Sequence, residues 1–391
     1  MDPSDVVSLT RSLIAIDTIN PPGREAGCAR QLARLLEQWG FAVNLHGFAD
    51  ERANLVATIG GRDDRAPIVL TGHLDTVPLG AARWERAAFG GETDGDRLYG
   101  RGASDMKGGI AAMLVAVRRL APRLAGSAGL KLVLTAAEEG GCVGSRHLVE
   151  DGGALGGAGA IVVGEPTSNY PHVGHKGTIK FHAGFHGVAA HGSMPHLGEN
   201  AVYKAACAAC RLQAFRFDRD EDYDEAARRA GTRAAGGHPV MGHPTLNVGT
   251  LHGGDTINSV PDFASMGVDI RTVAGMDHAA VLARVREAVG PQATLEVFQD
   301  SPAVWTDPAD RWVRRVFDAC SRALGEPIEP RTTTYNTDAG NLRRAWPRAP
   351  VVVLGPGEAA LAHQTDEWCS VSRLGQAVEL YEFIVRDWCG L

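Results

Sequence analysis

No apolar run in this 391-residue sequence approaches the roughly 20 residues that a bilayer-spanning helix needs, which excludes a chain embedded in a membrane by such helices. The basic residues form no dense stripe. With 39 Lys and Arg against 46 Asp and Glu, the formal net charge is −7, so nucleic acid is disfavoured as a partner and small molecules are favoured. Cysteine is sparse and odd in number, seven residues from Cys28 to Cys389, which argues against a disulfide framework in so long a chain. Reduced thiols in core or partly buried positions are expected instead. Cys207-x-x-Cys210 has redox or zinc spacing, but it falls in the helical stretch 201–215 with no second pair nearby and reads as core packing. Met1-Asp2-Pro3-Ser4-Asp5 lacks the basic-then-apolar plan of a secretion signal, and the expectation is a cytoplasmic protein. Internal repeats and low-complexity tracts are missing as well.

What is present is a globular composition, 44% hydrophobic and 22% charged, on a chain long enough to make two domains the first expectation. Apolar positions at helical spacing run over Ser4–Ile16, with Ser4 and Asp5 available as caps, and over Glu25–Trp39, closed by Gly40. Strands are expected at 41–45, 54–59 and 68–70, then at 130–137 and 160–164, with an Ala-rich helix over 110–120 between them. Helix and strand in alternation predict an α/β sheet with helices on its faces. Near Gly174 the pattern changes. Strand (178–185), helix (199–215), a charged insertion (Arg216–Arg229), strand (245–251), strand (263–271), helix (277–289) and strand (293–298) give the order of a ferredoxin-like sandwich. Residues 177–298 are therefore expected as a second domain inserted into a first one made of 1–176 and 299–391. A helix over 309–324, a strand over 350–354 and a last helix over 372–387 complete the first domain.

The chemistry gathers where strands end. The buried-strand pattern Ile68-Val69-Leu70 runs into Gly72-His73-Leu74-Asp75, and a carboxylate two residues from an imidazole can hold one ring nitrogen while the other faces a metal. A surface His beside a turn Asp fits this tripeptide equally well when it is taken alone. Asp105, in Ser104-Asp105-Met106-Lys107-Gly108-Gly109 at the mouth of a helix, is either an N-cap or a ligand-facing carboxylate. Glu138-Glu139 ends the next strand, where adjacent carboxylates are most easily tolerated beside a cation, and Glu165-Pro166 ends another. Open α/β sheets bind their ligands at such an edge.

Together with Ala362-His363-x-x-Asp366-Glu367, and with Ala190-His191-Gly192-Ser193-x-Pro195 and Asn258-x-x-Pro261 to Asp269-x-Arg271 in the inserted segment, these motifs resemble the dizinc aminoacylase/carboxypeptidase family over essentially the whole chain. The resemblance implies a mixed-sheet catalytic domain of the zinc-peptidase type with an inserted ferredoxin-like α+β dimerisation (lid) domain. It implies two divalent ions, with Zn²⁺ first and Co²⁺ or Mn²⁺ as substitutes. One would be held by His73, Asp105 and Glu165 and the other by Asp105, Glu139 and His363, with Asp105 bridging and the Asp105–Met106 peptide cis. Asp75 would be the carboxylate that orients His73, and Glu138 the general base. His191 would reach the oxyanion across a homodimer.

Asn258 and Arg271 resemble the family's contacts to a substrate carboxylate, with Thr178, Asn336 and Thr337 lining the same pocket. The implied reaction is hydrolysis of an N-acyl amino acid to a carboxylate and a free amino acid. Dipeptidase or carboxypeptidase action is the alternative on the same machinery, and a catalytically silent binding protein is the alternative from another class. One departure bears on specificity. Members that remove succinyl groups carry Arg-Arg ahead of the Gly equivalent to Gly177, whereas this chain has His175-Lys176.

Overall fold

The structure is a computed structural model, and it describes residues 5–61, 65–217 and 238–391. Ser4 and most of the charged insertion Arg216–Arg229 lie outside the described residues. The chain divides into two compact units, one formed by 1–174, 305–331 and 337–391, the other by 175–304 and 332–336.

A six-stranded mixed sheet organises the first unit, in the spatial order Ala42–Ala49, Arg52–Ile59, Leu130–Thr135, Ile68–His73, Ala160–Val163, Val351–Val353. The last four strands run parallel, while Arg52–Ile59 is antiparallel to both of its neighbours. Ile68–His73, Leu130–Thr135 and Ala160–Val163 are buried along their whole length, as continuous apolar runs covered on both faces must be. One of the covering helices, Gly108–Leu124, is itself buried on almost every side and packs against Val371–Cys389 and Val6–Ile14. Leu9, Leu32, Leu70, Ile110, Leu114 and Tyr381 belong to the shared core. Asp5 caps the first helix through the amides of Val7 and Ser8, and Asp310 caps Arg311–Leu324 in the same way.

Three parallel strands therefore end at one edge, with His73 at the end of one, Glu138 and Glu139 just past a second and Glu165 just past a third. Periodicity did not foretell two short helices, Val143–Glu150 and Ala339–Ala345, or a small sheet in which Trp368–Ser370 pairs with Arg97–Tyr99.

In the second unit a four-stranded antiparallel sheet has the order Thr245–Gly253, Phe263–Thr272, Gly177–His186, Ala293–Ser301. Helices Ala201–Gln213 and His278–Val289 fall between strands to give the βαββαβ chain order. Its boundaries reach past the expected 177–298. The last strand continues to Ser301 in register with Thr178, and residues 332–336 join this unit through the bridge between His175 and Thr333.

The expectation for Cys207 and Cys210 fails, since both are exposed. The buried face of their helix is Ala201, Ala205, Ala208 and Leu212, and the cysteines sit on the other side. The remaining five cysteines are buried, and all seven are free thiols. Among the described residues no helix is long and apolar enough to cross a membrane.

Candidate metal centre

His73 closes its strand with both ring nitrogens engaged. A backbone carbonyl can only accept, so Nδ1–H donates to the Asp75 carbonyl at 2.9 Å, which turns Nε2 toward Asp105 Oδ1 at 3.0 Å and Glu165 Oε1 at 3.8 Å. Gly72 leaves room for the Met106 side chain, whose Cε a Cβ there would overlap. The expected orienting carboxylate lies near the ring, with Asp75 Oδ1 3.7 Å from His73 Nδ1, but the hydrogen bond is made by the main chain. Asp75 holds His73 with its main chain, while its carboxylate accepts the amides of Glu138 and Glu139, each at 3.1 Å, and the Asn20 side chain at 2.8 Å. The strand stops at His73, so the alternation that would aim the two side chains the same way does not continue to Asp75.

Asp105 lies in a turn, Ala103–Lys107, whose backbone is non-helical at Asp105 and Met106, and the peptide joining them is cis. Its second oxygen, Oδ2, is 3.5 Å from His363 Nε2, and that nitrogen is 3.1 Å from Glu139 Oε2. Asp105 thus stands between two imidazoles, one buried and one half exposed. The loop bearing Glu138 and Glu139 is held from beneath by the Asp75 carboxylate and by Glu25, which accepts the Ala137 amide while paired to Arg52 at 2.6 Å. Cys142 donates its thiol hydrogen to Glu138 Oε1 at 3.2 Å.

Charge in this cluster is unbalanced. Burial pushes the carboxyls of Glu138, Glu139 and Glu165 above the ordinary carboxylate range, and their acidic neighbours push them further. Asp105 goes the other way. Burial would raise it, but hydrogen bonds from His363 and His73 hold it well below the usual range. The imidazoles respond in kind. Burial disfavours a charged His73, yet Asp105 and Glu165 raise it well above its ordinary value, and hydrogen bonds to Asp105 and Glu139 raise His363 to about 10.

Two histidines facing three acidic side chains, Asp105, Glu139 and Glu165, with Glu139 Oε1 lacking a hydrogen-bond partner among the described residues, form a donor set suited to divalent cations. Ligand atoms of His73, Asp105 and Glu139 lie within 4.8 Å of one another. Glu165 adjoins this group through His73, and His363 through Asp105 and Glu139.

The other expected residues are distributed as follows. Thr337 is in the first unit, where its hydroxyl accepts the Ala339 amide at 3.2 Å, and the neighbouring Asp338 is a buried carboxylate bonded by Thr135. In the second unit, His191 is exposed, with Nδ1 2.7 Å from Ser193 Oγ, and lies opposite Ser259 beside Asn258. Asn258 Oδ1 accepts from the Thr256 hydroxyl at 2.7 Å. Thr178 is buried and in register with Arg271, whose Nη2 donates to Asp269 at 2.9 Å. Asn336 belongs to the 332–336 segment of this unit.

The chain is 33% identical to acetylornithine deacetylase of Myxococcus xanthus, over 97% of this chain and 96% of that one. It is 29% identical to a probable succinyl-diaminopimelate desuccinylase of Staphylococcus epidermidis, over 98% and 97%. Among solved structures, a metallo-carboxypeptidase of the M20 family from Sulfolobus solfataricus shares its fold, with a TM-score of 0.81 at 20% identity and 100% of both chains covered. A dinuclear metal-binding M20 peptidase from Bacillus subtilis gives a TM-score of 0.66 at 17% identity, covering 98% and 97%. Residues 69–387, which hold every acidic and imidazole group of the cluster, match the model of one family, and the chain belongs to it: peptidase family M20/M25/M40.

Proposed function

We propose that this chain is a metal-dependent amidohydrolase that cleaves N-acyl amino acids, with acetylornithine-like deacylation as its leading activity. The observation that carries this reading is Glu138, a partly buried carboxylate adjacent to Glu139 but directed to Cys142 and not to either histidine. His73, Asp105 and Glu165 would hold one divalent ion, and Asp105, Glu139 and His363 the other, most suitably Zn²⁺ with Co²⁺ or Mn²⁺ as substitutes. Such ions, when bound, polarise the scissile carbonyl and lower the pKa of an attacking water. Glu138 takes the proton from that water and returns it to the leaving amine, a task suited to a carboxyl that burial raises well above its ordinary range. Asp75 holds the amides of Glu138 and Glu139 and so keeps base and ligand in a fixed relation.

Arg271 is the group proposed to receive the substrate α-carboxylate, with Asn258, Thr178, Asn336 and Thr337 as further substrate contacts. An acetyl or formyl group is favoured over succinyl, because Lys176 replaces the usual arginine and its ammonium donates to the His243 carbonyl at 2.6 Å. Burial and nearby Arg271 also press that ammonium below its ordinary pKa. The test is a metal-loaded panel of N-acetyl, N-formyl and N-succinyl amino acids beside dipeptides. Turnover is expected on the acetyl and formyl substrates. Faster hydrolysis of dipeptides would move the reading to the peptidase alternative, which the peptidases among the structural relatives favour.

A homodimer formed through the second unit is also proposed, with His191 serving the partner's site. Large apolar side chains exposed on this unit, among them Val188, Leu197, Tyr203, Leu251 and Phe263, support such an interface. His191→Ala chains mixed with Glu138→Gln chains should regain part of the activity, since some mixed dimers hold one intact site. No recovery under conditions of demonstrated chain exchange would place His191 outside the partner's chemistry.

A further inference from the structure

One acidic side chain of the 362–367 segment has no part in the scheme above. Glu367 is buried, 1% exposed, and each of its oxygens accepts two hydrogen bonds. Oε1 receives the backbone amides of Ser104 at 2.8 Å and Asp105 at 3.0 Å, and Oε2 receives the Gly102 amide at 3.0 Å and Arg101 Nη1 at 2.7 Å. Arg101 is equally buried and extends the contact to the carbonyls of Gln364 and Pro78, both at 3.1 Å. The amides need this acceptor. They open the turn before the helix Gly108–Leu124, where first-turn N–H groups have no carbonyl behind them, and the non-helical backbone at Asp105 and Met106 offers none. Main-chain pairing fixes where Glu367 stands. Its carbonyl accepts the Gly100 amide at 2.8 Å, and Trp368 is in register with Tyr99.

We propose that Glu367 is the positioning residue of the metal centre: its carboxylate clamps the turn that presents Asp105 to the segment that presents His363. The inference rests on the reading of Asp105 and His363 as metal ligands and assigns what sets their separation. Four residues along the chain from His363, Glu367 grips the Asp105 amide itself, so the two ligands are tied through one side chain. Charge-assisted hydrogen bonds to several amides hold such geometry more tightly than neutral ones. Without the carboxylate three amides lose their acceptor, and Asp105 is no longer held against His363.

Glu367→Gln keeps the shape but turns one acceptor into a donor aimed at backbone N–H groups. In the folded variant, zinc affinity measured against a chromophoric chelator is expected to fall by about 10–100-fold, the usual cost of removing an outer-shell partner. The visible absorption of the Co²⁺-loaded protein is expected to shift. Wild-type affinity with an unchanged cobalt spectrum would overturn the proposal. Because this variant leaves Arg101 buried without a counter-charge, the pair Arg101→Met with Glu367→Gln is the second test; it removes the orphaned charge and still lacks the clamp. The same loss of affinity is expected there, and recovery to the wild-type value would assign the defect to buried charge and sink the idea. His363→Ala separates this inference from the reading beneath it. That chain should bind zinc with reduced stoichiometry, and undiminished binding would remove the ligand assignment whatever Glu367 does.

Discussion

Glu138→Gln is expected to lower kcat by about 10²–10⁴-fold while the chain still takes up about two divalent ions. The size follows from the work given to this carboxylate, which moves a proton twice in each turnover. Retained metal follows from geometry, because the contacts to His73 and His363 are made by Asp105, Glu139 and Glu165. Glutamine preserves the shape and can still accept from the Cys142 thiol, so folding should be little affected. Metal analysis beside single-turnover kinetics decides the matter. Loss of the ions together with activity would make Glu138 a ligand and require the two adjacent glutamates to exchange or share their roles.

Arg271→Ala is expected to reduce the specificity constant for every N-acyl amino acid by about 30- to 1000-fold, the equivalent of about 2–4 kcal/mol for a charged contact. The effect should shrink sharply on the matching α-amides, which carry no carboxylate. This comparison also controls for structure. Arg271 is bonded to Asp269, so its removal strands a neighbour, and a defect of that origin would fall on acid and amide alike. Kinetics on N-acetyl-ornithine and its amide, with both proteins, separate the two causes. An equal loss on both substrates would take Arg271 out of carboxylate binding.

The sheet and the cluster were legible in the sequence because their signals are local. Ile68-Val69-Leu70, Leu132-Val133-Leu134 and Ile161-Val162-Val163 announce buried strands, and each is followed within a few residues by the acidic or imidazole side chain it delivers. What stayed hidden depends on partners distant in the chain. Glu25 beneath the Ala137 amide reads as an ordinary helix acid, and Glu367, though part of a recognised motif, shows no sign of its place beneath the Asp105 amide until the fold brings it there. Asp75 was legible as the neighbour of His73, but the strand ends at His73, and the hydrogen bond to the ring comes from the Asp75 main chain with the carboxylate 3.7 Å away. Cys207 and Cys210 were misplaced for a different reason. Their helix buries a narrow stripe of alanines, and small residues on the inner face leave little periodic signal to show which side is wet.

The groups of the cluster are strung from residue 73 to residue 363, and the whole second unit is encoded between the fourth of them, Glu165, and the last, His363. A ribosome therefore releases His73, Asp105, Glu139 and Glu165 long before the histidine that accompanies them, and the clamp at Glu367 emerges later still. Until then the early carboxylates have one imidazole among them and an Asp105 turn whose amides await their acceptor. On the proposed assignment the ligand set of one ion, His73, Asp105 and Glu165, is complete once residue 165 is made, while the set of the other waits for His363 and the clamp beside it.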